Sequence, residues 1–107
     1  MNVVQFSKLS GNIRESIQGF RWVILQQEDI PKALSVMMFA ELDGVLVAVD
    51  HRKSVPENGL WVRAVHLLLV SESVDADEIR QITGITKVVS CDACLLYTSD
   101  AADDFVR

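Results

Sequence analysis

Apolar residues in this chain are grouped into short runs that are bounded by polar residues, glycine or proline. Runs of β-branched and aliphatic residues are typical of strands, whereas apolar residues spaced three and four apart are typical of one helix face. These patterns predict strands at Val3–Phe6, Arg21–Gln26, Val45–Asp50, Leu60–Ser71 and Ile85–Ser90. They predict helices at Asn12–Phe20, from Asp29 to about Leu42, and at Asp75–Thr83.

Polar residues and glycine mark the ends of two of these helices. Asn12 is followed three residues later by Glu15, and Asp75 is followed by Glu78, which are capping-box arrangements. Gly84 suits the left-handed position that ends many helices. We therefore expect helices to begin after Asn12 and Asp75.

Residues 31–42 allow two interpretations. Pro31 suits the first turn of a helix, and the Ala, Leu and Met residues that follow favour a helix by propensity. Alternatively, Ser35–Leu42 is a strand that pairs with Val45–Asp50 through the turn Asp43-Gly44. We favour the helix.

From Arg21 onwards the predicted order is strand, helix, strand, strand, helix, strand. This order resembles the ferredoxin-like fold, an α+β fold with a four-stranded antiparallel sheet and two helices on one face. It is also similar to small-ligand regulatory domains of the ACT type, including residues Ile82–Val88 at the last helix-to-strand step. The first strand and helix are then an N-terminal extension. The residues Gln26–Asp29 replace the glycine-rich turn with which ACT-type domains bind amino acids.

Composition restricts the possible functions. The chain has 107 residues, enough for one domain, and its net charge of −5 argues against a nucleic-acid partner. No apolar run reaches the length of a membrane span, so we expect no membrane partner. The N-terminus lacks the pattern of a signal peptide, and two cysteines cannot form a disulfide framework. We therefore expect a cytoplasmic protein.

The C-terminal residues Cys94–Arg107 resemble a translated sequencing-library adapter. Cys94–Ser99 matches a transposon end, and Asp100–Asp103 matches the read adapter that follows it. The resemblance implies a metagenomic gene fragment, in which native sequence after Ala93 is replaced and the spacing Cys91-x-x-Cys94 is not a native metal or redox motif. We expect one domain over residues 1–93 and a tail without a functional role, although Leu95–Tyr97 has the composition of a strand.

Few residues are candidates for a functional site. His66 lies among leucines, where it is either a structural histidine with one hydrogen bond or a general base. His51, Arg52 and Lys53 form a basic tripeptide that could bind a phosphate or carboxylate, or could be a solvated loop. Trp61 and Arg63 alternate along one predicted strand, so they would share a face that is either open to a ligand or covered as core. The two histidines have no metal-ligand spacing, so we expect no metal or cofactor.

These observations support two functions. We favour a non-catalytic regulatory or protein-interaction module, acting on another protein or a small ligand. The alternative is a cofactor-free oxygenase or isomerase of the dimeric α+β barrel kind, with His66 and Arg63 as catalytic residues. A large enclosed pocket lined by His66 would favour the enzyme, whereas a sheet face filled with packed side chains would favour the module.

We also expect a homo-oligomer. The predicted strand Leu60–Ser71 is apolar on both faces, and two short helices can cover only one of them. An open apolar sheet face is usually buried against another chain.

Overall fold

The structure is a computed structural model that describes residues 3–90. Its strands are β1 (Val3–Gln5), β2 (Trp22–Gln26), β3 (Leu46–His51), β4 (Leu67–Val70) and β5 (Val88–Ser90). Its α-helices are α1 (Ile13–Ile17), α2 (Ile30–Leu42) and α3 (Ala76–Thr83), and short 3₁₀ helices lie at Phe6–Lys8, Gln27–Asp29 and Leu60–Ala64. The tail Cys94–Arg107, with the strand expected at Leu95–Tyr97, lies outside the described residues.

The strands between residues 3 and 90 form one sheet in which every neighbouring pair is parallel. Their order is β1-β2-β3-β4-β5, and Trp22 lies beside Val3 on one side and beside Leu46 on the other. The fold is therefore α/β. The predicted antiparallel, ferredoxin-like sheet is wrong, and the expected N-terminal extension is instead an edge strand and its connecting helix.

Residues 60–71 explain this error. The sequence predicts a single long strand there, but the chain forms a 3₁₀ helix at Leu60–Ala64 and only Leu67–Val70 is a strand. The connection from β3 to β4 thus spans residues 52–66. Parallel strands need a connection of about a dozen residues or more, which this segment supplies, whereas a hairpin loop would have made the pair antiparallel.

The predicted helices are confirmed, with shorter limits at some ends. Residues 30–42 form α2, so the alternative strand at Ser35–Leu42 is wrong. The side chain of Asn12 accepts a hydrogen bond from the backbone N–H of Glu15 at 3.2 Å, and that of Asp75 accepts one from Asp77 at 3.0 Å. Gly84 has a φ of +76°, the conformation expected of a glycine that ends a helix.

One face of the sheet packs against the helices. The core on this face combines alternate residues of the strands with residues from each of the described α-helices and from the 3₁₀ helix at residues 60–64. Its strand residues include Val23, Leu25, Val47, Val49, Leu68 and Val70, and its helical residues include Ile17, Met37 and Ile79. The described helices therefore form one layer.

The opposite face holds a second buried cluster that is formed by strand residues alone. Its members are Trp22, Ile24, Ala48, Leu67 and Leu69, each at most 2% exposed. Strands buried on both faces explain why β2 and β4 are continuous apolar runs. The homo-oligomer was expected because this face would be open, and it stays a prediction, since no described helix is among the members of this cluster.

Within residues 3–90, no helix has the length and apolar character needed to cross a membrane.

Candidate ligand-binding cleft

The parallel sheet has two distinct edges, and a cleft of about 530 Å³ lies at the edge where the strands begin. The first residues of β2 and β3 line it, together with residues 62–66 before β4 and residues 83–87 before β5. The polar residues among them are Arg63, His66, Thr83, Thr86 and Lys87, and Trp22 contributes an indole. We refer to this site as the amino-edge cleft.

Trp22 lines the cleft and carries a buried donor. The residue is 1% exposed, and its indole Nε1, which is closed to solvent, has no hydrogen-bond partner among the described residues. A buried donor without a partner costs about 1–3 kcal/mol, and native proteins contain few such groups.

His66 completes the ladder between β3 and β4 with its ring. The backbone N–H of Val47 donates to Nδ1 of His66 at 3.0 Å, and the backbone N–H of His66 donates to the carbonyl of Val47 at 2.8 Å. Because Nδ1 accepts, the ring proton of neutral His66 is on Nε2. Nε2 has no partner within residues 3–90, so it is a free donor on a residue that lines the cleft.

The surroundings of His66 keep its ring neutral. Burial lowers the pKa of His66 below its ordinary value, and the nearby carboxylate of Glu41 opposes this effect only in part. The neutral ring has one lone pair, on Nδ1, and the bond from Val47 uses it. His66 is thereby a hydrogen-bond donor to the cleft and has no free lone pair with which to remove a proton.

The ionisable side chains that line the cleft are basic or neutral. Arg63 and Lys87 contribute positive charge, and no aspartate or glutamate is among the lining residues. Arg63 makes no ion pair with any described residue. Thr83 is occupied, since its hydroxyl donates to the carbonyl of Ile79 at 2.7 Å and accepts from the N–H of Ile85 at 3.2 Å.

At the opposite edge of the sheet, where the strands end, charged side chains of the chain pair with one another. Arg52 donates to both carboxylate oxygens of Asp50 at 2.8 Å, and Asp50 is only 5% exposed. Lys53 donates to both oxygens of Glu28 at 3.0 Å, and this hydrogen bond lowers the pKa of Glu28 below its usual range although partial desolvation opposes it. Arg52 and Lys53 are therefore already paired with carboxylates.

His51 is also held by neighbouring residues at this edge. Its ring stacks on that of Trp61, with centroids 5.6 Å apart and planes 19° apart. Its Nδ1 donates to the carbonyl of Ser54 at 3.1 Å, because a carbonyl can only accept. These contacts hold the loop after β3 in place.

The structure thus divides the residues singled out from the sequence. His51, Arg52, Lys53 and Trp61 lie where the strands end, whereas Arg63 and His66 lie together at the amino-edge cleft. Trp61 and Arg63 do not share a strand face, because both belong to the 3₁₀ helix at residues 60–64. His66 precedes β4 and is not within a strand.

Sequence reasoning missed the main feature of the site. Trp22, Thr83 and Lys87 are not among the candidate residues taken from the sequence. Trp22 and His66 are far apart in sequence, and only the parallel order β2-β3-β4 brings the starts of these strands together.

The described residues contain no group of three or more histidine, cysteine, aspartate or glutamate side chains arranged to hold a metal ion. In comparisons with known proteins, no family model, curated protein or solved structure matched the chain. The site is therefore interpreted from its own geometry.

We predict that His66→Leu lowers the free energy of unfolding by about 1–3 kcal/mol, because the buried N–H of Val47 loses its acceptor. His66→Asn should avoid most of this loss, because Oδ1 of asparagine and Nδ1 of histidine are the same number of bonds from Cα. Urea unfolding of the three proteins measures the difference. Equal losses in both variants would show that the hydrogen bond to Nδ1 does not contribute.

The wild type and His66→Asn also give a prediction about pH. The pKa of His66 is lower in the folded state than in the unfolded state, so the unfolded chain takes up a proton first as the pH falls. The wild type should therefore lose stability relative to His66→Asn between about pH 7.5 and about pH 5, around the ordinary histidine pKa. His51 is present in both proteins and cancels. If the difference in stability between the two proteins does not change with pH, or favours the wild type at low pH, the lowered pKa of His66 is contradicted.

At the other edge, we predict that Arg52→Met destabilises the fold by about 3 kcal/mol, because it leaves the buried carboxylate of Asp50 without its main cation. Lys53→Met should change stability little, since its partner Glu28 is exposed. Thermal and urea unfolding compare the two, and the double variant Asp50→Asn, Arg52→Met should recover part of the loss. Two equally small effects would mean that Arg52 is a solvated loop residue.

Proposed function

We propose that this chain is a non-catalytic ligand-binding module of the regulatory kind, which takes a small molecule into the amino-edge cleft. The observation that carries the proposal is the lining of the cleft, which sets a free donor, Nε2 of His66, and a cation, Arg63, beside apolar side chains. A ligand that accepts a hydrogen bond from His66 would bind only the folded chain. Binding would then stabilise the folded state.

The size and lining of the cleft suit this function. A volume of about 530 Å³ falls within the range of small-molecule sites, which are mostly apolar with a few fixed polar groups. Leu46, Val62, Val65 and Ile85 supply the apolar wall. The lining residues come from the starts of β2 and β3 and from the segments that precede β4 and β5, so the cleft joins four neighbouring parts of the chain.

The enzyme alternative receives less support from the same geometry. It depended on the dimeric α+β barrel, whose antiparallel sheet this chain does not have. It also required His66 as a general base, and Nδ1 of His66 already accepts a hydrogen bond from Val47. A large enclosed pocket lined by His66 was expected to favour the enzyme. His66 does line the amino-edge cleft, but it is a hydrogen-bond donor there. The homo-oligomer expected from the sequence stays a prediction.

The proposal is tested with Trp22 as the reporter. The chain has two tryptophans, so Trp61→Phe leaves Trp22 as the only indole. We predict that at least one member of a panel of benzoate, benzamide, benzyl alcohol and toluene shifts the indole N–H resonance of Trp22 saturably. Circular dichroism of Trp61→Phe confirms that the reporter protein is folded.

Two matched variants show whether such a shift comes from the cleft. Thr86 is exposed and lines the cleft, so Thr86→Phe should block binding by filling it. Gln81 is exposed on α3 and is not among the lining residues, so Gln81→Phe adds the same ring without effect on binding. A panel that produces no saturable shift, or shifts that persist in Thr86→Phe, would refute the proposed function.

A further inference from the structure

We propose that the ligand of the amino-edge cleft is a small carboxylate on an apolar body, with its carboxylate bound by His66 and Arg63. This inference rests on the proposed function and names the chemical class of the molecule that the cleft takes.

The directions of the hydrogen bonds in the cleft require an acceptor. A guanidinium can only donate, and Nε2 of neutral His66 also donates because Nδ1 accepts from Val47. The ligand group that meets Arg63 and His66 must therefore be an acceptor. An ionised carboxylate is acceptor-only and offers about four lone-pair sites. An alcohol or amide would add a donor for which these two side chains provide no acceptor.

The charge of the lining also favours an anion. Arg63 lines the cleft and no carboxylate does, so an anion there meets a cation without a competing negative side chain on the wall. Hydrogen bonds with a charged partner on either side are roughly twice as strong as neutral ones. Glu41 lies close enough to His66 to affect its pKa, but it is not among the lining residues.

The C-terminus of α3 also reaches the cleft, and a helix C-terminus is unfavourable for anions. Two of its last carbonyls are already occupied. The carbonyl of Arg80 accepts from the N–H of Gly84 at 2.9 Å, and that of Ile79 accepts from Thr83. These bonds reduce the negative character presented to the cleft, and the full charge of Arg63 exceeds the remaining partial charge.

The apolar part of the lining indicates what the rest of the ligand is. Leu46, Val62, Val65 and Ile85 form the apolar part of the lining. An aromatic or branched aliphatic group would bury its apolar surface away from water by packing against these side chains. A bare inorganic anion would leave them in contact with water, so the cleft fits a carboxylate that carries an apolar group.

The test compares benzoate with its neutral relatives in the full chain carrying Trp61→Phe. We expect benzoate to shift the indole N–H resonance of Trp22 saturably and to bind at least about tenfold more tightly than benzamide, because only benzoate brings a negative charge to Arg63. Benzoate affinity should fall as the salt concentration rises, since salt screens the attraction to the cations at the cleft.

Charge variants identify the cation. Arg63→Gln should weaken benzoate binding about fivefold and leave benzamide binding unchanged, since it removes a charged donor. Lys32 lies exposed on α2 outside the lining residues, so Lys32→Gln removes the same charge from elsewhere and should have no effect.

The outcomes separate this inference from the proposed function. If benzamide or toluene binds at Trp22 as tightly as benzoate, or if Arg63→Gln leaves benzoate affinity unchanged, the carboxylate assignment is overturned while the cleft remains a ligand site. If none of the probes reaches Trp22, the proposed function itself fails. Tighter binding of benzoate that requires Arg63 and is blocked by Thr86→Phe supports both.

Discussion

The parallel arrangement of the strands is the constraint on which the rest of this structure depends. Parallel neighbours cannot be joined by tight turns, so each connection must return across the sheet from the end of one strand to the start of the next. The described helices make these crossings on one face, where they bury alternate strand residues. As a consequence, the segments that lead into β2, β3, β4 and β5 meet at one edge of the sheet. The amino-edge cleft is built from those segments.

His66 connects the sheet to the cleft. Its ring stands where a backbone carbonyl would otherwise accept from Val47, so one hydrogen bond both extends the β3–β4 ladder and decides which ring nitrogen carries the proton. Trp22 lies at the start of β2 with its side chain in the second buried cluster. Its indole is therefore fixed by packing, although its N–H is unsatisfied. The ring of His66 is held in place before any ligand arrives, which lowers the ordering cost of binding.

In α/β proteins, ligands usually bind beyond the carboxyl ends of the strands, often where the strand order reverses. The sequential order of this sheet has no such reversal between residues 3 and 90. At the carboxyl ends, the pairs Arg52–Asp50 and Lys53–Glu28 satisfy one another, and His51 stacks on Trp61. The polar residues that look most like a binding site in the sequence are thus used to fix the loop after β3. The unsatisfied donors lie at the opposite edge.

The sequence by itself determined most of the local structure, because helix caps, propensity and short apolar runs act over a few residues. Asn12 and Asp75 begin their helices, Gly84 ends α3, and the apolar run at residues 22–26 is a strand. It did not determine strand direction, since an apolar strand buried on both faces has the same pattern in a parallel or an antiparallel sheet, and residues 60–66 join β3 to β4 as a crossover only in the folded chain. The amino-edge cleft follows from that direction. Tertiary structure alone decided it, because Trp22, Arg63 and His66 meet only when the starts of parallel strands are side by side.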